Sequence, residues 1–167
     1  MRQGSLVVIA ILAIACGKGG PTSPSGRAES MTWTVDGVSF VASEKGRSVS
    51  DLGISFQVVG SDCQSTAILA FSLPTGAGVG TYRIGERGVS ATWAPDVRSS
   101  SGQWEAPNRF PTPGAGSGSV TISAISEGWV SGTFEFLVIP VPPNQDTSPK
   151  TIRGSFELSM SFRPALC

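Results

Sequence analysis

The chain contains no histidine. That absence excludes Ser-His-Asp and Cys-His catalysis and any metal centre built on imidazole. Cysteine is scarce, with three residues, Cys16, Cys63 and Cys167. They are too far apart in sequence for a zinc-type cluster. Charge is low, at 14% of residues, and balanced, with 12 Lys plus Arg against 12 Asp plus Glu. A chain without a basic excess has no electrostatic drive toward nucleic acid or an anionic surface. Long apolar runs are also missing. The longest, Leu6 to Ala15, has ten residues, whereas a spanning helix needs about 20. No Walker loop occurs, and no glycine fingerprint joins a strand to a helix. No D-x-D-x-D-G loop suggests calcium.

The N-terminus has its own pattern. Arg2 supplies a positive charge, the ten-residue run follows, and Ala15-Cys16-Gly17 closes it with a small residue and a cysteine. Charge, short apolar core and small-residue cut site predict a secretory signal over residues 1–15. Leu12-Ala13-Ile14-Ala15-Cys16 resembles the lipobox of bacterial lipoproteins. The resemblance implies acylation of the Cys16 thiol, cleavage before it and tethering to a membrane. Gly17 stands where an aspartate would resemble an inner-membrane retention signal, so in a host with two membranes the expected address is the outer one. Residues 17–30 are glycine, proline, serine and charge, with Ala28 as the only apolar residue. That composition predicts a flexible linker over 16–30. Removing 15 of 167 residues leaves 152, a size that suits one domain, expected over 31–167.

With Cys16 committed to lipid, Cys63 and Cys167 remain. Export would place them where disulfides persist, and an even leftover pair is expected to join. Such a bond would pin the C-terminal residue and close a loop of roughly 100 residues.

From Met31 onward the pattern has period two. Thr32 to Val35, then Asp36-Gly37, then Val38 to Val41 predicts a hairpin on a type I′ turn. Its register places Val35 opposite Val38 and Trp33 opposite Phe40, all four on one face. Residues 43–51 are polar and read as a loop. Ile54, Phe56 and Val58 alternate with polar neighbours, as do Leu69, Phe71 and Leu73. Thr81–Ile84 and Val89–Trp93 are two short strands, and residues 94–118 read as a long loop rich in proline and glycine. Val120, Ile122 and Ala124, then Phe134, Phe136 and Val138, predict a second hairpin. A three-residue loop over 127–129, with a bulge near Gly128, would pair Ile122 with Phe134 and Val120 with Phe136. Proline keeps 140–149 out of any central strand. Ile152, Gly154, Phe156, Leu158, Met160 and Phe162 alternate with polar residues in the clearest strand of all. About nine short strands without helical periodicity predict an all-β fold, an antiparallel meander forming a β-sandwich or small β-barrel.

Two segments carry a resemblance. Gly118-Ser119-Val120-Thr121-Ile122 and Val130-Ser131-Gly132-Thr133-Phe134-Glu135-Phe136 are similar to the G-x-V-T-I … V-S-G-T-F-x-F pattern of a family of bacterial β-rich lipoproteins of unknown function. Val35-Asp36-Gly37, Gly80-Thr81-Tyr82 and Gly154-Ser155-Phe156 match its other motifs in order over most of residues 31–162. The resemblance implies an exported β domain. It brings no catalytic residues and no cofactor.

The candidate chemistry is therefore thin. Glu86, Asp96, Glu105, Glu127, Glu135, Asp146 and Glu157 are scattered singly, where turn bonding or a solvated surface accounts for them. Trp93, Trp104 and Phe110, with Arg98 and Arg109 beside them, make a candidate binding loop, since tryptophan with arginine is common in binding patches. The alternative is that both tryptophans anchor the loop to the core. No catalytic or metal-ligating residue is assigned. The expected function is a non-catalytic binding or structural module in the cell envelope, meeting a protein, glycan or small apolar ligand. An apolar-ligand carrier inside a barrel and a carboxylate-based hydrolase are the alternatives.

Overall fold

The computed structural model describes residues 27–43, 46–51, 56–86, 88–96, 98, 102–107 and 116–160. Cys16, Arg109, Phe110, Phe162 and Cys167 lie outside them, as does Ile54. The described chain is all-β, with eleven strands: β1 Ser30–Val35, β2 Val38–Val41, β3 Arg47–Asp51, β4 Phe56–Asp62, β5 Ala67–Leu73, β6 Gly80–Arg83, β7 Ser90–Ala94, β8 Trp104–Ala106, β9 Ser117–Ser126, β10 Trp129–Pro140 and β11 Lys150–Ser159. Every pairing is antiparallel. The sheet curls into a half-barrel.

β10 is the strand on which this shape turns. Along most of its length it lies between β11 and β9. Its last two residues, Ile139 and Pro140, instead pair with Glu105 and Trp104 of β8. One side of the fold is therefore β2-β1-β11-β10-β9-β6, and the other runs β8-β7-β5-β4-β3 from the end of β10. Apolar faces from both sides meet in one core cluster.

The centre of that core is aromatic. Phe71 of β5 stands 5.2 Å from Phe134, 5.8 Å from Phe136 and 5.5 Å from Phe156, centroid to centroid. Two of these rings have a glycine as cross-strand partner: Phe134 opposes Gly154, and Phe156 opposes Gly132. The pairs are reciprocal, one ring coming from each strand. A Cβ on Gly154 would strike the Phe134 ring and the Thr32 carbonyl. A Cβ on Gly132 would meet Phe156 Cζ at 2.8 Å. Each glycine leaves room for a ring laid across the strand, which fills the void that the missing side chain would create.

The first hairpin forms as the pattern predicts. Asp36 and Gly37 have φ of 47° and 87°, as a type I′ turn requires. Val35 pairs with Val38 and Trp33 with Phe40, whose rings stack at 5.5 Å. Val38 departs from the expectation. It is 61% exposed, because β2 is an edge strand and its tip overhangs the core.

Other departures have local causes. Residues 43–51 contain a strand, β3, where polarity suggested a loop; of its described side chains only Val49 is fully buried, and pairing with β4 holds the rest. Residues 94–118 contain β8, three residues paired with β7. These two account for eleven strands in place of nine. The second hairpin turns on two residues, Glu127 and Gly128, at φ of 51° and 78°, and not on three. Face alignment is restored further along, by a shift between Ser131 and Gly132 that leaves Ser123 as the extra residue. Val120 then opposes Phe134, and Ile122 opposes Gly132. A type I′ turn matches strand twist, so the bulge moved into the strand. Met160 is not inward-packed but 37% exposed, since β11 ends at Ser159.

Gly154→Val should lower stability by about 2–3 kcal/mol, the cost of overpacking a filled core. The check is the urea unfolding midpoint. Adding Phe134→Leu should cost less than the two single losses combined, because removing the ring vacates the contested space.

Candidate functional site

Of the predicted binding loop, Trp93, Arg98 and Trp104 are among the described residues, and Arg109 and Phe110 are not. Trp93 on β7 and Trp104 on β8 are cross-strand partners, 5% and 3% exposed. Their rings tilt against each other at 4.8 Å. Both belong to the buried core cluster, and neither presents an exposed ring. Arg98 is exposed, and its backbone N–H donates to Asp96 Oδ1 at 2.9 Å. Asp96 also accepts from Thr66 Oγ1 at 2.6 Å. The Thr66 bond first, then the Arg98 N–H, hold the Asp96 carboxyl below its ordinary value.

A polar cluster that period-two reading does not reveal sits where the β1–β2 turn meets the 141–149 crossing. Lys150 Nζ lies 2.8 Å from Asp146 Oδ2 and 3.4 Å from Asp36 Oδ2. It also stands 5.9 Å from the Trp104 ring centroid. Trp104 Nε1 donates to Ser148 O at 3.0 Å. Asp36 Oδ1 accepts Thr151 N–H at 3.0 Å, and Asp36 N–H donates to Thr151 O at 3.1 Å. Asp146 accepts from both the backbone N–H and the hydroxyl of Ser148. Two carboxylates thus converge on one ammonium, which offsets one of their two charges and bridges both. Lys150, ahead of the Ser148 bonds, lowers the Asp146 carboxyl well below the usual carboxylate range. Asp146 in turn raises Lys150. The cluster ties the hairpin tip, the crossing and β8 together.

Four further carboxylates have structural partners. Glu135 pairs with Arg153 at 2.9 Å, and Glu157 with Arg27 at 3.7 Å. Glu105 accepts from Gln103 Nε2, and Glu86 from the Arg83 N–H. Among the described residues no group of three His, Cys, Asp or Glu could hold a metal ion. Cys63 sits in the β4–β5 turn with its N–H donating to Ser43 Oγ at 3.0 Å.

The broadest presented surface is the outer face of β2-β1-β11-β10-β9-β6. Register aligns one hydroxyl residue from each of β1, β11, β10, β9 and β6 into a row, Thr32, Ser155, Thr133, Thr121 and Thr81, with Val41 as the β2 member. The Thr81 and Thr121 hydroxyls are 3.0 Å apart. The next row carries Ser39, Thr34, Arg153, Glu135 and Ser119. Open grooves flank Arg153, one of them of about 420 Å³ and lined by Trp33, Phe40 and Val41 as well as Thr32, Thr34 and Ser39. This face can hydrogen-bond a polar partner. Its ion pairs, Glu135 with Arg153 and Glu157 with Arg27, are solvent-exposed. The sequence carried the signal as Ser and Thr at alternate positions, but only register shows that they line up.

No protein-family model, no curated protein and no solved structure matches the chain.

The Lys150 cluster makes stability depend on pH. Asp146 is depressed in the folded chain, so its contribution is complete above the ordinary carboxylate pKa of about 4. It is lost as the pH falls toward the lowered value. Lys150→Met should therefore flatten the drop in melting temperature between pH 5 and pH 2. An unchanged slope would refute the coupling.

Proposed function

We propose that this chain is a lipid-tethered protein of the cell envelope whose β domain acts as a non-catalytic binding or structural module. One observation carries the tether: a charged start, a ten-residue apolar run and Ala15-Cys16-Gly17 lead into a glycine- and proline-rich stretch that ends at the first strand. This pattern resembles that of a bacterial lipoprotein, acylated at Cys16 and, in a host with two membranes, held in the outer one. Lipid, rather than charge, holds such a chain, since each buried CH₂ contributes about 0.8 kcal/mol. The module reading is supported by how the acidic groups are used. Asp36, Asp146, Glu135 and Asp96 serve ion pairs and turns. The hydroxyl-rich outer face is the surface best suited to a polar partner such as an envelope protein or glycan. An apolar-ligand carrier is less well supported, because four phenylalanine rings pack against one another where a ligand would sit.

The same reading includes a Cys63–Cys167 disulfide. The end of β11 lies close by: Ser159 N–H donates to Glu29 Oε1, Glu29 Oε2 is 3.9 Å from Arg47 Nε, and Arg47 pairs with Gly60. The eight residues from Met160 to Cys167 can reach about 26 Å, at roughly 3.3 Å each.

Cys16→Ser should abolish fatty-acid labelling and release the protein from membranes. Persistent labelling of that variant would refute the lipoprotein reading. Mass spectrometry without reduction should find the Cys63 and Cys167 peptides linked. Reducing the bond should cost up to about 4 kcal/mol, whereas two alkylated thiols would exclude it.

A further inference from the structure

Both ends of the described chain leave the domain at one corner. Arg27 Nε lies 3.7 Å from Glu157 Oε1, which sets the start of the chain beside β11. Met160 N–H donates to Gly128 O at 2.6 Å, which sets the end of β11 beside the β9–β10 turn. The rim so formed carries two exposed apolar side chains, Ile125 and Met160, each 37% exposed. Register explains their position. Ile125, Val130 and Leu158 form one cross-strand row in which Val130 and Leu158 are buried. Ile125 ends that row, and Met160 lies just past the end of β11, two residues beyond the buried Leu158. The rim thus leaves these two apolar side chains partly exposed at the edge of the core.

We propose that this rim rests on the lipid surface that carries the chain. The domain then stands end-on, with the Asp36–Gly37 turn and the 141–149 crossing pointing away from the membrane. The inference rests on acylation at Cys16. The length of chain between lipid and domain argues for it. Eleven residues separate the cleavage point from Arg27. They span about 36–40 Å at full extension and about 17–20 Å as a relaxed glycine- and serine-rich coil. Since Arg27 belongs to the rim, the tether keeps Ile125 and Met160 at an effective concentration near the millimolar range. A patch too small to bind a membrane from solution is occupied under those conditions. Glu127, at the tip of the same turn, keeps the contact at headgroup depth and out of the acyl layer.

The test uses the full acylated chain on vesicles of phosphatidylethanolamine and phosphatidylglycerol. A benzophenone amino acid is placed at Ile125 or, as a control, at Val38 beside the far turn, which is 61% exposed. Irradiation should give several-fold more phospholipid adduct from position 125. Equal yields from the two positions on vesicle-bound, acylated protein would overturn this inference and leave the lipoprotein reading intact. Adducts from position 125 to a second copy of the chain would overturn it in favour of an interface between copies. A chain that never acquires lipid overturns both readings.

Discussion

The half-barrel depends on how close β10 and β11 can bring their aromatic rings to each other's backbone. Phe134 crosses to Gly154, and Phe156 crosses back to Gly132. Neither ring could lie there over a residue with a side chain. Laid flat, the two rings present a broad surface to Phe71 from the opposite side of the fold. Close packing of this kind is felt at the level of a single methylene. The other strands are positioned from this centre: β1 by its pairing with β11, β9 by its pairing with β10, and β5 by the seat of Phe71.

The division of β10 between two neighbours gives the fold its curl. Its partner on one edge changes from β9 to β8 near the end of the strand, which turns the second half of the sheet over the first. The polar network around Lys150 closes the same region. It joins the crossing after β10 to the hairpin that begins the domain, across more than one hundred residues of chain. The ionised groups there are spent on architecture. The outer sheet face, with its aligned hydroxyls, is left to solvent.

Much of this was legible in the residues. Alternation alone identified β1, β2, β5 and β11, because in each a strong apolar face is bounded by turn residues. Asp36-Gly37 specified its own turn and register. Where the signal failed, pairing had replaced pattern. β3 has too few apolar side chains and β8 too few residues to declare a period, and each exists because a neighbour supplies the ladder. The tryptophans illustrate the same limit. Trp104 looked like part of a loop, yet the β7–β8 pairing buries it against Trp93. The Lys150 cluster was hidden for a different reason. Asp36 and Lys150 are remote in sequence, and period carries no information on which turns meet.

The sequence by itself determined the all-β class, the inward and outward faces of the long strands, the exclusion of histidine chemistry and the expectation of a tether at Cys16. These follow from side-chain type and spacing, which act over a few residues. Tertiary structure decided the rest. It placed the bulge at Ser123, gave β10 two partners, brought Lys150 between two aspartates and aligned the threonines into rows. Each of these depends on which strands lie side by side, and that is settled by the packing of one shared core.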